Sequence, residues 1–427
     1  MNHPKIAIIL GGTVPHITLI NKLKERGYYT ILVDFLDNPP AKEYADEHIQ
    51  ESTLHKEKIV EIAKARGAEI VISTCVDQAN SICCYVGEQL NLPHPYSYEV
   101  SLDVTDKCRM KEIMWNNGIP TSRFCHIKTA DEILEQNLSF PLMVKPADSN
   151  SANGVKKVAN VSELKEFLPM ALKYSRNGFA IVEEFVEGVE ISAYCVIVDG
   201  KAHLIMAQER LSVIEGENHV IKCYASYAPA RISPKAMSKC ETIATDIAKA
   251  FKLNNTPLFF QGIVNGDDIS VIEFAPRVGG GISSQTIKQG TGFDMIDAAI
   301  DSFLGRHISL ENWHPMKQIY AVNQIYGRKG IYSHSLGIEK LIDEGIINFA
   351  SFYKKNGARI NENSASSGRI GVMVFSGETE DDLLNKIRHT FSSIDCMDSE
   401  GESMIRRDLN IFSQWNKTTM PEETSSK

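Results

Sequence analysis

The chain has 427 residues, of which 43% are hydrophobic and 23% charged, enough apolar material for about two to four folded domains without disulfide or metal staples. Lys and Arg total 45 against 54 Asp and Glu, a formal net charge of -9, which argues against a general binder of nucleic acid or anionic membrane. No apolar run approaches the roughly 18 residues of a membrane span, the opening Met1–Lys5 lacks the features of a secretory signal, and nine scattered cysteines without a CxxC pair point to a reduced, cytoplasmic chain.

The first third alternates strands and helices. Lys5–Leu10 is an apolar run, followed by Gly11-Gly12 and an amphipathic stretch carrying Ile17, Leu19, Ile20 and Leu23. A turn at Gly27 leads to a second apolar run, Thr30–Val33, that ends at Asp34. A helical segment over His55–Arg66 precedes a third run, Ile70–Ser73. Strands separated by helices imply right-handed βαβ units and a parallel sheet. The Gly-Gly turn lacks the GxGxxG spacing, and Pro15 stands where a helix would open. It therefore reads as a packed strand-to-helix turn, and Asp34 is not read as a ribose ligand. Cys83-Cys84 reads as helix core.

After Pro93 and Pro95 the spacing predicts a helix over Asp106–Asn117, closed by Gly118-Ile119-Pro120. From there the pattern is strand-rich α+β. Pro141–Pro146 is a strand with Lys145 near its end, followed by a small-residue loop, Ala147–Val155. A helix over Val161–Tyr174 leads to a strand at Ala180–Val186. Further strands are expected near Ile191–Val198, His203–Gln208 and Ile269–Phe274. From Gln318 a small α/β module follows, with a strand at Arg369–Phe375 and a helix at Thr379–Phe391. The polar, aperiodic Thr418–Lys427 reads as a disordered tail.

Five features in the middle of the chain belong together by their order. Lys107 opens the Asp106–Asn117 helix. Lys145 closes a strand before the Ser/Gly loop, where an ammonium and backbone N–H groups can meet phosphate oxygens. Taken alone, either lysine also fits an ordinary solvated position. In Val182-Glu183-Glu184-Phe185-Val186-Glu187-Gly188-Val189-Glu190, an extended segment can offer a carboxylate and a backbone N–H to an adenine, with Glu190 in range of ribose hydroxyls. An exposed acidic strand would look the same. Gln261 and Glu273 fall on two strands joined by Gly266-Asp267-Asp268, and paired strands would set two oxygen ligands side by side for a hard cation such as Mg²⁺. The most specific segment is Glu273-Phe274-Ala275-Pro276-Arg277-Val278-Gly279-Gly280-Gly281. There a carboxylate, an arginine and a glycine-rich turn could hold a metal, brace a transferring phosphoryl group and admit a substrate.

This order of features resembles the ATP-grasp superfamily of carboxylate–amine and carboxylate–thiol ligases, from about Lys5 to Leu310 and more loosely beyond. The resemblance implies a multidomain α/β and α+β fold. Its parts would be an N-terminal doubly wound parallel α/β domain (1–100), an ATP-grasp domain of two α+β subdomains (101–310, with a nucleotide-capping part at about 120–188), a C-terminal α/β module (311–417) and a tail (418–427). It implies that Lys107 and Lys145 contact phosphates and that Ser149, Ser151 and Gly154 belong to the lid over them. Glu183 and Val186 would form the adenine hinge and Glu190 the ribose contact. Gln261 and Glu273 would bind Mg²⁺ (or Mn²⁺), and Arg277 would steady an acyl-phosphate. Three departures stand out: Gln261 replaces the usual acid, as in the carbamoyl-phosphate synthetase branch; Ala275 replaces a usual Asn; and the lid is Ser/Asn-rich rather than glycine-rich.

The activity so implied is ATP-dependent joining of a small-molecule carboxylate to an amine, with release of ADP and phosphate. Phosphorylation of bicarbonate or carbamate, or a non-catalytic ATP-binding scaffold, are the alternatives. His219 reads as an exposed loop residue, while Arg210 is open between a substrate-carboxylate contact and a surface arginine. No nucleic-acid or membrane partner is expected, and the chain admits a homodimer through its N-terminal or C-terminal module.

Overall fold

The computed structural model describes residues 4–147, 154–175, 177–216, 220–362 and 365–414. In chain order they begin with β1 (Lys5–Leu10), α1 (Val14–Glu25), β2 (Tyr28–Asp34), β3 (Glu47–Gln50), α2 (Lys56–Arg66), β4 (Ile70–Ile72), α3 (Asp77–Leu90), α4 (Tyr98–Thr105) and α5 (Lys107–Asn116). Then come β5 (Phe124–Ile127), β6 (Leu142–Pro146), β7 (Lys156–Val158), α6 (Val161–Tyr174) and β8 (Ala180–Glu184). A third stretch holds β9 (Val189–Val198), β10 (Lys201–Glu215), β11 (Val220–Ala228), α7 (Pro234–Ala250), β12 (Thr256–Asn265), β13 (Asp268–Ala275), α8 (Ser283–Thr291) and α9 (Met295–Phe303). The last holds β14 (Ile319–Tyr326), β15 (Gly330–Leu336), α10 (Ile338–Asp343), β16 (Phe349–Phe352), β17 (Arg359–Ile360), α11 (Ala365–Gly368), β18 (Arg369–Gly377), α12 (Glu380–Ser393) and β19 (Asp395–Asp398). The expected tail Thr418–Lys427 lies outside the described residues, as do Ser149, Ser151 and His219.

Two compact units interleave along the sequence. The first comprises Met1–His126, Val186–Ala207 and Ile232–Pro315, the second Ile127–Phe185, Gln208–Arg231 and Met316–Lys427.

In the first unit β1 to β4 form a parallel sheet in the order β3-β2-β1-β4. β1 pairs with β2 from Lys5↔Tyr28 to Leu10↔Val33 and with β4 from Ala7↔Ile70 to Ile9↔Ile72. Its residues Ala7 to Leu10 are fully buried, as expected for a parallel strand covered on both faces. The chain order reverses between β1 and β4, the switch point at which open α/β sheets leave a crevice at the carboxyl ends of their strands. Pro15 does not prevent the helix after β1: α1 opens at Val14 with Pro15 in its first turn, where a missing N–H is tolerated. Beside this sheet β9, β12 and β13 pair antiparallel. α7 packs on all three, and α9 packs on β12, β4 and α1. Lys22 bridges Asp294 (2.8 Å) and Asp297 (2.7 Å), and Arg26 bridges Asp297 (3.0 Å) and Asp301 (2.6 Å), fastening α1 to α9.

In the second unit β6 pairs antiparallel with β7 and β8, and α6 packs across the three. The closing part of β10, from Glu209, pairs with β11, and β14, β18 and β16 follow in antiparallel order. β15 pairs with β17 and β19. A single apolar core under these strands includes Tyr326, Met373, Phe375, Leu383 and Ile387. After Gln318, β14, β18 and β16 thus continue the antiparallel sheet of β10 and β11, while β15, β17 and β19 form a sheet of their own.

Candidate active site

In the first unit the site is built on a hairpin. Gly266 and Asp267 turn β12 into β13, and the register sets Gln261 opposite Glu273 and, on the other side, opposite Ser192 of β9. Residues in register on neighbouring strands share a face, as do alternate residues of one strand. Glu190, Ser192, Gln261 and Glu273 therefore lie on one face. Tyr194, Phe259 and Ala275 extend it by one step in the same register. Next to the Gln261–Glu273 pair the register slips, since Gly262 faces Val271. Ile272 is the extra residue of this bulge, a device that re-aims neighbouring side chains.

Lys107 reaches this face from the first turn of α5. Asp106 caps that helix by accepting from the N–H groups of Cys108 (2.9 Å) and Arg109 (3.1 Å). The Lys107 ammonium then donates to a carboxylate oxygen of Glu273, with both side chains partly open to solvent. One turn on, Lys111 is fully buried and donates to Thr121 Oγ1 (2.6 Å) and Ser122 Oγ (3.2 Å). Thr121 donates in turn to the Val271 carbonyl (2.7 Å), and the Val271 N–H donates to Pro120 (2.8 Å). The bulge beside Glu273 is pinned from outside the sheet.

Arg277 follows β13. Its Nε and Nη2 donate to the two oxygens of Asp77 at 2.6 and 2.7 Å, and Nη1 donates to the Val278 carbonyl at 2.9 Å. The guanidinium carbon lies 5.0 Å from the centre of the Phe259 ring. Burial opposes the charge, but Asp77 outweighs it and holds the guanidinium above its ordinary pKa. Asp77 is the first residue of α3, just past β4 at the switch point.

The two loops at the switch point are joined by His16. Its Nδ1 bonds Thr13 Oγ1 (2.8 Å) and its Nε2 bonds Ser73 Oγ (3.3 Å), while Ser73 donates to the Leu10 carbonyl (2.7 Å). Gly11, at φ +100°, packs against the imidazole; a Cβ there would sit 3.1 Å from the ring. Burial pushes the His16 pKa down to about 4, so the ring is neutral at pH 7. Asp34 accepts from the Gly12 N–H (2.7 Å) and the Leu36 N–H (2.9 Å), so it shapes the glycine turn.

In the second unit Lys145 of β6 and Glu183 of β8 form an ion pair at 3.0 Å, with Glu183 almost fully buried. Met143 is the residue directly opposite Glu183, so the pair is diagonal across the two strands, within reach of a long side chain. Gly154, at φ +72°, closes the loop after β6; a Cβ there would meet Pro146 and Tyr174 at 2.9 Å. Glu209 accepts from the Arg231 backbone N–H (2.6 Å), Nε (2.9 Å) and Nη2 (2.6 Å).

Of the residues singled out in the sequence, Lys107, Glu190, Gln261, Glu273 and Arg277 fall in the first unit, with Val186 at the start of its second stretch. Lys145, Gly154 and Glu183 fall in the second. The sequence reading did not include Asp77, Ser192 or Phe259. Asp77 carried a signal, as the first acid after the third apolar run and at the mouth of a helix rich in apolar residues.

Gln261 and Glu273 offer one amide oxygen and one carboxylate. That set fits Mg²⁺, which uses one or two carboxylates and completes its shell with water and substrate phosphates. Among the described residues no group of three or more His, Cys, Asp or Glu forms a metal cage.

This fold and this order of residues resemble those of the ATP-grasp superfamily, and the similar proteins are of the same kind. The sequence model of the family described as "D-ala D-ala ligase C-terminus" matches residues 113–257. A D-alanine–D-alanine ligase of Mannheimia succiniciproducens is 28% identical over 208 residues, 45% of this chain and 61% of that enzyme. The L-amino acid ligase of Bacillus licheniformis superposes with a TM-score of 0.78 at 18% identity, covering 93% of this chain and 100% of the other. The biotin carboxylase domain of the Hydrogenobacter thermophilus 2-oxoglutarate carboxylase, solved with MgADP and bicarbonate, gives 0.75 at 15% identity over 98% of this chain and 94% of the other. The matches to the first curated relatives span less than two thirds of their length.

Proposed function

We propose that the chain is an ADP-forming ligase that activates a small carboxylate as an acyl-phosphate and joins it to an amine. One observation carries the reading: a single face of β9, β12 and β13 bears Glu190, Gln261 and Glu273, with Lys107 on Glu273 and Arg277 just past the strand. In the reaction a carboxylate oxygen attacks the γ-phosphorus of ATP and the bond to the β-phosphate oxygen breaks. The amine nitrogen then attacks the acyl carbon, phosphate leaves and the amine proton is lost.

The roles follow from the chemistry of each group. Lys107 and Lys145, with Ser149, Ser151 and Gly154, would hold the phosphates. Glu183 and the Val186 N–H would read the adenine, and Glu190 would accept from the ribose. Gln261 and Glu273 would hold Mg²⁺, or Mn²⁺ in its place, and the ion when bound supplies positive charge to the phosphates. Arg277 would meet the transferring phosphoryl group, where preorganised positive charge acts on charge that develops in transfer. The departure at Ala275 leaves a methyl on the metal-facing side, so water would complete the ion's shell there.

ADP release with Mg²⁺ over pairs of carboxylates and amines tests the reading. Similarity to D-alanine–D-alanine ligase and to an L-amino acid ligase makes amino acids the first pairs to try. ADP release that requires both partners supports ligation; ADP release with neither, or none at all, counts against it. A second reading, bicarbonate as the activated carboxylate, is favoured by the Gln261–Glu273 pair and by the similarity to the biotin carboxylase domain. Bicarbonate-dependent ADP release without any other carboxylate would select it. Nine free thiols suit a reducing, cytoplasmic setting for either reaction.

A further inference from the structure

The Asp77–Arg277 pair joins residues 200 positions apart, and no expected role accounts for it. A guanidinium has five N–H donors. Asp77 takes two of them through Nε and Nη2, and the Val278 carbonyl takes a third. Two are left for a ligand. The bidentate contact fixes the plane of the guanidinium, and the Phe259 ring at 5.0 Å supports one face of it. The Arg277 side chain is 12% exposed and that of Asp77 25%, so neither can swing freely into water. Asp77 is held in its turn, as the first residue of α3, a helix whose Ala79, Cys83, Cys84 and Val86 are buried.

We propose that Asp77 is a positioning residue for the transfer step: it locks Arg277 so that the two remaining N–H groups face the transferring phosphoryl group, and it does so without touching substrate itself. This rests on the reading of Arg277 given above. The physical reason is preorganisation. A group that stabilises developing charge acts best when it need not be reoriented as the reaction proceeds, and partners that do the analogous work of orienting metal ligands are worth about 10–100-fold. Pairing with Asp77 also makes the unit close to neutral. Arg277 then adds little long-range attraction for ground-state ATP while its short-range donors remain in place.

The test uses the full-length chain, with MgADP and aluminium fluoride as the probe, since the fluoride complex mimics a phosphoryl group in transfer. Binding is measured with MgADP alone and with the fluoride for the wild type, Asp77→Asn, Arg277→Lys and the double variant, each checked by its thermal midpoint. Asp77→Glu is a second variant that keeps the charge but moves the carboxylate by one methylene. Aluminium fluoride should tighten MgADP binding by the wild type, and Asp77→Asn should lose about 10–100-fold of that tightening. MgADP alone should change by less than about threefold, a split that general loosening of the fold would not produce. In the Arg277→Lys background Asp77→Asn should add almost nothing, and Asp77→Glu should lose part of the tightening with an unchanged midpoint. Wild-type tightening in a folded Asp77→Asn, or losses that simply add in the double variant, would overturn the proposal, the latter by assigning Asp77 a direct contact. Failure of the wild type to bind MgADP at all would instead overturn the nucleotide reading, and this inference with it.

Discussion

Two lysine–glutamate pairs, one in each compact unit, use the same residue types in different surroundings. Lys107 and Glu273 are 22% and 33% exposed, and they join the first turn of a helix to a bulged strand. Lys145 and Glu183 are 14% and 6% exposed and lie diagonally across adjacent antiparallel strands. The open pair can exchange a partner for an incoming ion or phosphate at little cost, because water already shares in its solvation. The closed pair does so only at greater cost, since Glu183 lies in a poorly solvated place. The first pair is suited to being opened and closed readily, the second to a contact that changes only when a ligand takes the partner's place.

The largest effect expected from this contrast is on stability. Lys145→Ala takes away one charged partner of the buried Glu183 and should destabilise by about 2 to 3 kcal/mol, whereas Lys107→Ala should cost less than about 1 kcal/mol. Urea denaturation of the two variants decides it, and equal losses would erase the distinction. Replacing both members of the closed pair (Lys145→Met with Glu183→Gln) should recover much of the loss.

Next in size is Arg277→Lys. A lysine cannot reproduce the planar fork, so kcat should fall by about one to three orders of magnitude while ATP binding changes far less. Steady-state kinetics with direct nucleotide binding separate the two effects. Loss of ATP affinity with an intact kcat would make Arg277 a ground-state ligand.

Acid should act on the first unit through His16. An unfolded histidine takes up its proton near pH 6.5, but the buried ring resists it down to about pH 4. Between those values the unfolded state binds more protons than the folded one, so stability falls as pH drops through that window. The full loss is on the order of 3 kcal/mol. Hydrogen exchange at pH 7 and pH 5 should show β1 and β4 loosening while β6 and β8 hold, and His16→Asn should flatten the response. Equal loosening in both units would sever the link to His16.

The smallest effects concern the metal face. Glu273→Gln should raise the Mg²⁺ concentration needed for half-maximal turnover by roughly tenfold or more, through loss of an anionic oxygen. Ala275→Asn, which offers an oxygen on the same face, should lower it by no more than about threefold or leave it alone. A magnesium titration of both variants checks the pair, and an insensitive Glu273→Gln would place the ion elsewhere.

Much of this site was legible along the chain because its signals are local. The Gln261–Glu273 pairing follows from two apolar runs and a Gly-Asp turn between them, and the helix expected over Val161–Tyr174 has those bounds in the structure. β3, α4 and α7 went unread, and α3 was read only at Cys83-Cys84, so Asp77 was missed, since an acid at a helix start looks the same whether it merely caps the helix or grips an arginine 200 residues on. Glu183 read as an adenine contact, with an exposed acid on a strand as the alternative; its burial depends on β6 lying alongside, which no local pattern encodes. The bulge at Ile272 was equally hidden, because only the pairing of the two strands reveals an extra residue. The compact units were not readable as consecutive blocks, since each draws on three separate stretches of chain.

The central claim, that a carboxylate is phosphorylated by ATP before an amine displaces phosphate, can be tested by following oxygen. With a carboxylate labelled with ¹⁸O and an amine partner from the ADP-release screen, mass spectrometry of the phosphate reads the path of the atom. An acyl-phosphate intermediate predicts one ¹⁸O in the phosphate for each ADP formed. Phosphate that carries no label while product accumulates would contradict it.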